Sequence, residues 1–158
     1  MSRPHVAGAV AGGLVAGLAI TAMLIAGERN SGTASELTQL ERVSAEKLKL
    51  ATPLPGALPS AREQALVQGG HLALSALAGA AYAATVDEDA PIVASGIGFG
   101  LAFYALAHWI AGPLLGVKAP EWTSARKVIA MHTLNHIGFG LLTALGAHAS
   151  RIRKEIAQ

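Results

Sequence analysis

The segment Val6-Ala-Gly8-Ala-Val-Ala-Gly12-Gly13-Leu-Val-Ala-Gly17-Leu-Ala-Ile-Thr21-Ala-Met-Leu-Ile-Ala-Gly27 carries no charged side chain along 22 residues. A helix rises about 1.5 Å per residue, so about 20 apolar residues cross a hydrocarbon core of about 30 Å. Three further stretches, 67–86, 91–117 and 128–149, are also free of Asp, Glu, Lys and Arg. Together they predict an all-α fold: a four-helix transmembrane bundle, one multi-pass domain over residues 1–158. The first stretch exceeds the about 7–15 residues of a signal-peptide core, so it reads as a retained anchor.

Composition agrees with that fold class. Of 158 residues, 52% are hydrophobic and 14% charged, and mean hydropathy is +0.44, too apolar for an ordinary soluble domain. The charges are segregated into the N-terminus, the connector 28–62, Asp87-Glu-Asp89, the turn near Lys118 and the tail from Arg151. A net charge of +2, with no basic stripe interleaved with aromatics, gives no sign of nucleic acid as a partner. The absence of cysteine excludes disulfides, thiolate catalysis and Cys-ligated metal.

Gly8/Gly12 and Gly13/Gly17 fit the small-xxx-small spacing that lets membrane helices approach closely, and Gly96/Gly100, Gly138, Gly140 and Gly146 offer similar thin faces. Thr33-Ala-Ser-Glu36 reads as a capping box opening a short amphipathic helix over about 34–50, which packs across the bundle mouth. Pro53, Pro55 and Pro59 stiffen the chain after it. Ser60-Ala-Arg-Glu63 is a second capping box, and Pro113 predicts a kink or early stop in the third span. Thr123 or Ser124 is placed to cap the fourth.

Histidines carry the candidate chemistry. His71 lies near the start of the second span, His108 late in the third, and His132 and His136 early in the fourth. Spans two and four enter from the side where span three exits, so all four fall about 6–15 Å below one surface. Ionisable groups in hydrocarbon are expensive and should face the bundle interior. Three readings follow. Neutral imidazoles and Asn135 staple helices by hydrogen bonds; or His71, His108, His132 and His136 ligate a divalent metal; or the cluster charges in mild acid. Haem fits less well, since its ligands would need a wide Gly-lined slot at matched depth. Glu63 and Glu121 are placed at the rim. Without a Ser/His/Asp set, phosphate loop or paired carboxylates, no enzyme is expected, and Tyr82 and Tyr104 read as interfacial or packing residues.

Gly70-His71-Leu-Ala-Leu-Ser75-Ala-Leu-Ala-Gly79-Ala-Ala-Tyr82, His108-Trp-Ile-Ala-Gly-Pro113-Leu-Leu-Gly116-Val-Lys-Ala-Pro120 and Asn135-His136 together resemble the helices of the YagU-like bacterial inner-membrane proteins. The likeness covers about the C-terminal 60% of the chain and leaves the long connector unmatched. It implies a four-span protein of the inner (plasma) membrane and ranks His71, His108 and His136 ahead of His132. It specifies no reaction. It also implies cytoplasmic termini, in keeping with Arg151-Ile-Arg-Lys154 directly after a span, whereas the basic residues of the first connector and third turn point the other way. The function expected is a polar, His-lined intramembrane pocket that binds metal or responds to protons. The alternative is an accessory or scaffold subunit docked in a homo-oligomer or larger membrane complex.

Overall fold

Pro4 lies in the first turn of α1 (Arg3–Ser31), where an N–H has no helical partner to lose. Gly32 ends that helix in the left-handed region, φ 69°, its N–H donating to the Glu28 carbonyl at 2.9 Å. The computed structural model describes residues 2–50 and 56–156, with side chains through residue 150. After α1 come α2 (Glu36–Lys47), α3 (Ala61–Thr85) and α4 (Ile92–Tyr104). The last continues through a π-helical turn, Ala105–Ala111, into the short α5 (Gly112–Leu114). A 3-10 turn, Glu121–Thr123, precedes α6 (Arg126–Ile156). Among the described residues the chain is all-helical. Pro53 and Pro55, and the side chains of Arg151, Arg153 and Lys154, lie outside the described set.

The expected capping boxes are realised in part. Ser60 caps α3, its hydroxyl accepting from the Glu63 N–H at 3.2 Å. The Glu63 carboxylate does not return to the cap; it pairs with Arg42 at 2.6 and 3.1 Å and so fastens α2 to α3. The first box is displaced by two residues, from Thr33 to Ser35, whose hydroxyl accepts from Thr38 N–H at 3.3 Å. The buried Glu28 carboxylate sets that register by taking the Ser35 N–H at 2.8 Å and the Thr38 hydroxyl at 2.7 Å. Thr123 turns its hydroxyl back to the Pro120 carbonyl at 2.7 Å instead of capping α6.

Lipid offers helices little hydrophobic drive to associate, so close packing must hold them together. α1 packs against α3 on one side and α6 on the other, and α4 lies along α6. Each seam is lined with glycine. A methyl at Gly8 or Gly12 would run into the α6 backbone, and one at Gly13 would come 2.6 Å from the Ser75 carbonyl of α3. The two overlapping small-xxx-small pairs of α1 therefore serve different neighbours. Between α4 and α6, Gly96 and Gly100 meet Gly140 with equal closeness.

Such narrow seams admit small side chains inside and push large ones out. Ala9, Ala16, Ala78, Ala83, Ala144 and Ala147 are buried, whereas Leu18, Leu77, Leu134 and Leu145 are exposed. This inverts the soluble pattern and suits a surface in contact with lipid. Arg3–Ser31, Ile92–Leu114 and Arg126–Ser150 are long and apolar enough to cross a membrane, so the chain is a helical membrane protein. Of the four expected spans, α3 falls short of that hydropathy, because Gln64, Gln68, Gly69, Gly70 and His71 occupy its first half.

α3 and α4 meet at the Asp87–Asp89 end, where the Tyr82 hydroxyl contacts Ser95 Oγ at 2.8 Å and its ring meets Phe99 edge-on. Toward the other end they diverge, and a cavity of about 260 Å³ opens between them. Phe103 and Phe139 line its wall, Leu37 and Leu40 of α2 border it, and all four histidines of the sequence reading reach it.

Gly138 and Gly140 make a controlled comparison on one helix. A Cβ at Gly140 would overlap the Gly96 carbonyl oxygen, whereas one at Gly138 meets nothing within 4 Å. Gly140→Val should lower stability in detergent by about 1–3 kcal/mol or more. Gly138→Ala should be neutral or stabilise by up to about 1 kcal/mol. Thermal unfolding of both variants checks the pair, and equal losses would contradict the packing described.

Candidate metal centre

Pro113 has no N–H, so the carbonyl four residues before it, that of Trp109, lacks its α-helical donor. The chain widens here instead of breaking: Ala105–Ala111 is π-helical, and the Gly112 N–H donates to the Ala107 carbonyl five residues back. Single π turns of this kind commonly occur at functional sites. This one carries His108. Gly116, at φ 64°, then reverses the chain, and the Val117 and Lys118 N–H groups share the Gly112 carbonyl at 3.1 and 3.3 Å. The reversal directs Lys118 and Glu121 back toward the helices.

The resulting cluster draws on four elements. His108 comes from the π turn, Glu121 from the 3-10 turn, His132 from α6 and Glu36 from α2. Each offers a ligand atom, and these four atoms all lie within 4.8 Å of one another. His132 bridges the acids, Nδ1 to Glu121 Oε1 at 2.6 Å and Nε2 to Glu36 Oε2 at 3.0 Å. With both ring nitrogens facing carboxylate oxygens, both must carry hydrogen, so His132 is an imidazolium here. The Lys118 ammonium donates to His108 Nδ1 at 2.8 Å and to Glu36 Oε1, and it forms an ion pair with Glu121 Oε2 at 2.7 Å, an oxygen that accepts no hydrogen bond among the described residues. Because an ammonium only donates, His108 Nδ1 accepts and that ring is neutral. Tyr104 completes the set, donating its hydroxyl to Glu121 Oε1 at 3.0 Å.

Two carboxylates, one ammonium and one imidazolium sum to zero charge. That balance allows Glu121, 0% exposed, to remain ionised inside the protein. Burial alone would raise the Glu121 carboxyl, but the Lys118 ammonium and hydrogen bonds from His132 and Tyr104 outweigh it and hold it at about 2. Glu36 is also lowered to about 2, chiefly by its hydrogen bond from His132 and further by Lys118.

Of the histidines picked from sequence, three come together. His108 stands 4.6 Å from His132 and 4.9 Å from His136, ring centre to ring centre. His136 donates from Nδ1 to the His132 carbonyl at 2.8 Å and is not one of the four ligand residues. His71 lines the same cavity from α3, but its Nδ1 pairs with the Thr21 hydroxyl at 3.1 Å, and it too lies outside the set. His132, ranked last by the resemblance, bridges both acids. Glu121 is not at the rim but fully buried, because the 3-10 turn tucks under the end of α4. Glu36 leaves its expected capping role to reach His132 and Lys118. Tyr104 is buried against the rings of His108, His132 and His136, in keeping with a packing residue, and its hydroxyl also donates to Glu121. Comparison with protein-family models, curated proteins and solved structures finds no match.

Both acids ionise below the ordinary value of 4.5. Their paired state therefore contributes stability in full above about pH 4.5, and that contribution is lost as pH falls toward about 2. The melting temperature in detergent should drop on acidification through this window. Glu121→Gln should lower it at neutral pH and remove part of the acid-dependent slope; an unchanged slope would contradict the pairing.

Proposed function

We propose that the protein is a multi-pass membrane protein of the inner membrane that binds a divalent transition-metal cation through Glu36, His108, Glu121 and His132. In this reading α3 serves as a fourth span. Its 25 residues extend about 37 Å, and its glycine seam with α1 would shield its more polar first half. The likeness of the His71, His108–Pro120 and Asn135-His136 segments to YagU-like proteins supports an inner-membrane location.

The observation that carries the reading is the convergence of two imidazoles and two carboxylates, from separate elements, within 4.8 Å. A nitrogen and oxygen donor set of this kind suits Zn²⁺, Mn²⁺ or Fe²⁺ and lacks the sulfur ligands that select a soft ion such as Cu⁺. Bonds of about 2.0–2.2 Å place tetrahedral ligands about 3.3–3.6 Å apart, so the cluster must contract modestly around an ion and His132 must release one proton to solvent to free a ring nitrogen. His136 is positioned for outer support, its bond to the His132 carbonyl bracing the turn that carries His132. Haem fits poorly: His108 and His132 stand 4.6 Å apart with charged groups about them, not on either side of a flat apolar slot.

Protein purified in mild detergent should retain about one equivalent of metal by elemental analysis, or bind Zn²⁺ or Mn²⁺ in calorimetric titration. Glu121→Gln and His132→Ala should each weaken binding by at least about tenfold, while His71→Ala changes it little. Failure of the wild type to bind either ion at millimolar concentration would refute the reading.

A further inference from the structure

The metal reading leaves one group unexplained: a cation already occupies the place where a metal ion would go. Lys118 Nζ lies 2.7 Å from Glu121 Oε2 and 2.8 Å from His108 Nδ1, and it also bonds Glu36 Oε1. Two of its N–H groups donate to His108 and Glu36, and its charge is paired with Glu121 Oε2, a buried oxygen that accepts no hydrogen bond among the described residues. The three contacts belong to three of the four residues that would ligate a metal, so the ammonium sits within the ligand set. The Lys118 side chain is 11% exposed, so water competes little for its charge.

We propose that Lys118 is a tethered competing cation, which holds the ligand set closed and must swing out before a divalent ion can enter. The proposal rests on the metal reading and adds to it a built-in gate. A metal dication held by these four residues and an ammonium in contact with three of them would repel strongly at this range. The tether is short. Gly116 reverses the chain two residues earlier, and the Lys118 N–H is fixed to the Gly112 carbonyl, so the ammonium remains at high effective concentration beside the acids. Gly112 leaves room for the stem of Lys118, whose Cβ would stand 3.3 Å from a methyl placed there. The consequence is selectivity by charge. A monovalent ion gains little over the ammonium it would displace, whereas a dication interacts with both carboxylates about twice as strongly at equal distance.

The test uses the full-length protein in detergent with Zn²⁺ and Mn²⁺ as probes. Lys118→Met keeps the length of the stem and removes the charge. It should tighten divalent binding by about tenfold or more, the scale of one charge-assisted hydrogen bond, whereas Glu121→Gln weakens it. A second readout needs no variant at Lys118: acylation of the wild-type Lys118 amine, followed by mass spectrometry, should increase when metal is added. Tighter binding by Lys118→Met than by the wild type, or metal-dependent exposure of the amine, supports the gate. Weaker or unchanged binding in Lys118→Met, with Lys118 labelling indifferent to metal, overturns the gate. If Glu121→Gln still abolishes binding in that event, the metal site itself stands. No binding in wild type or Lys118→Met overturns both.

Discussion

The backbone contact between α4 and α6 is the constraint on which the remaining structure depends. At Gly100 the missing side chain allows the His136 carbonyl to sit where a Cβ would be, and at Gly140 the same is true of Gly96. Helix axes this close leave space for alanine but not leucine between them, which explains both the alanine interior and the leucine exterior. The same approach sets the separation of His108 from His132 and His136, because Gly100 lies two helical turns before His108 and opposite the turn that carries His136. Packing geometry thus fixes the chemistry of the cluster before any polar contact is considered.

Charge balance is the second constraint, and it operates within the space that packing leaves. Removing one partner from a buried ion pair typically costs about 3–5 kcal/mol, because the other charge stays desolvated. Glu121, fully buried, faces that penalty directly, and Lys118, His132 and Tyr104 all pair with it. The neutral total explains how a fully buried carboxylate can persist next to membrane-spanning helices. It also explains why the lysine belongs to the site and is not a bystander.

Much of the scaffold was legible from the sequence. Charge-free runs place α1, α4 and α6 to within a few residues, and Gly8/Gly12 and Gly13/Gly17 mark real seams, although their assignment to two different neighbours needs the three-dimensional phase of the helix. The shared depth of His108, His132 and His136 follows from counting residues from one surface. Glu36 was not accessible in this way, since it lies 82 residues from Lys118 and only the fold of α2 across the mouth joins them. Glu121 had a weaker local signal: it is an acid in a short turn between two spans whose histidines reach that same end. Freedom from charge places 67–86 with the other spans, whereas the mean hydropathy of α3 falls short because of the polar run from Gln64 to His71. The cap of α2 was misplaced because Glu28, not the local pattern at Thr33, fixes its register.

The division of ligands between elements has its own physical logic. A neutral imidazole can be carried within an apolar helix at modest cost, whereas a carboxylate at the same depth cannot. The chain places its histidines on the spans and brings its acids in from segments at the aqueous edge, Glu36 on α2 and Glu121 on the 3-10 turn. Each acid can be solvated while the helices assemble and become desolvated only when its cationic partners are in place. α2 is held by the Arg42–Glu63 pair and the Glu28 network as well as by Glu36. A change in the charge at the cluster therefore acts directly on how firmly this helix closes the mouth. One carboxylate, that of Glu36, thus belongs both to the cluster and to the helix that covers it.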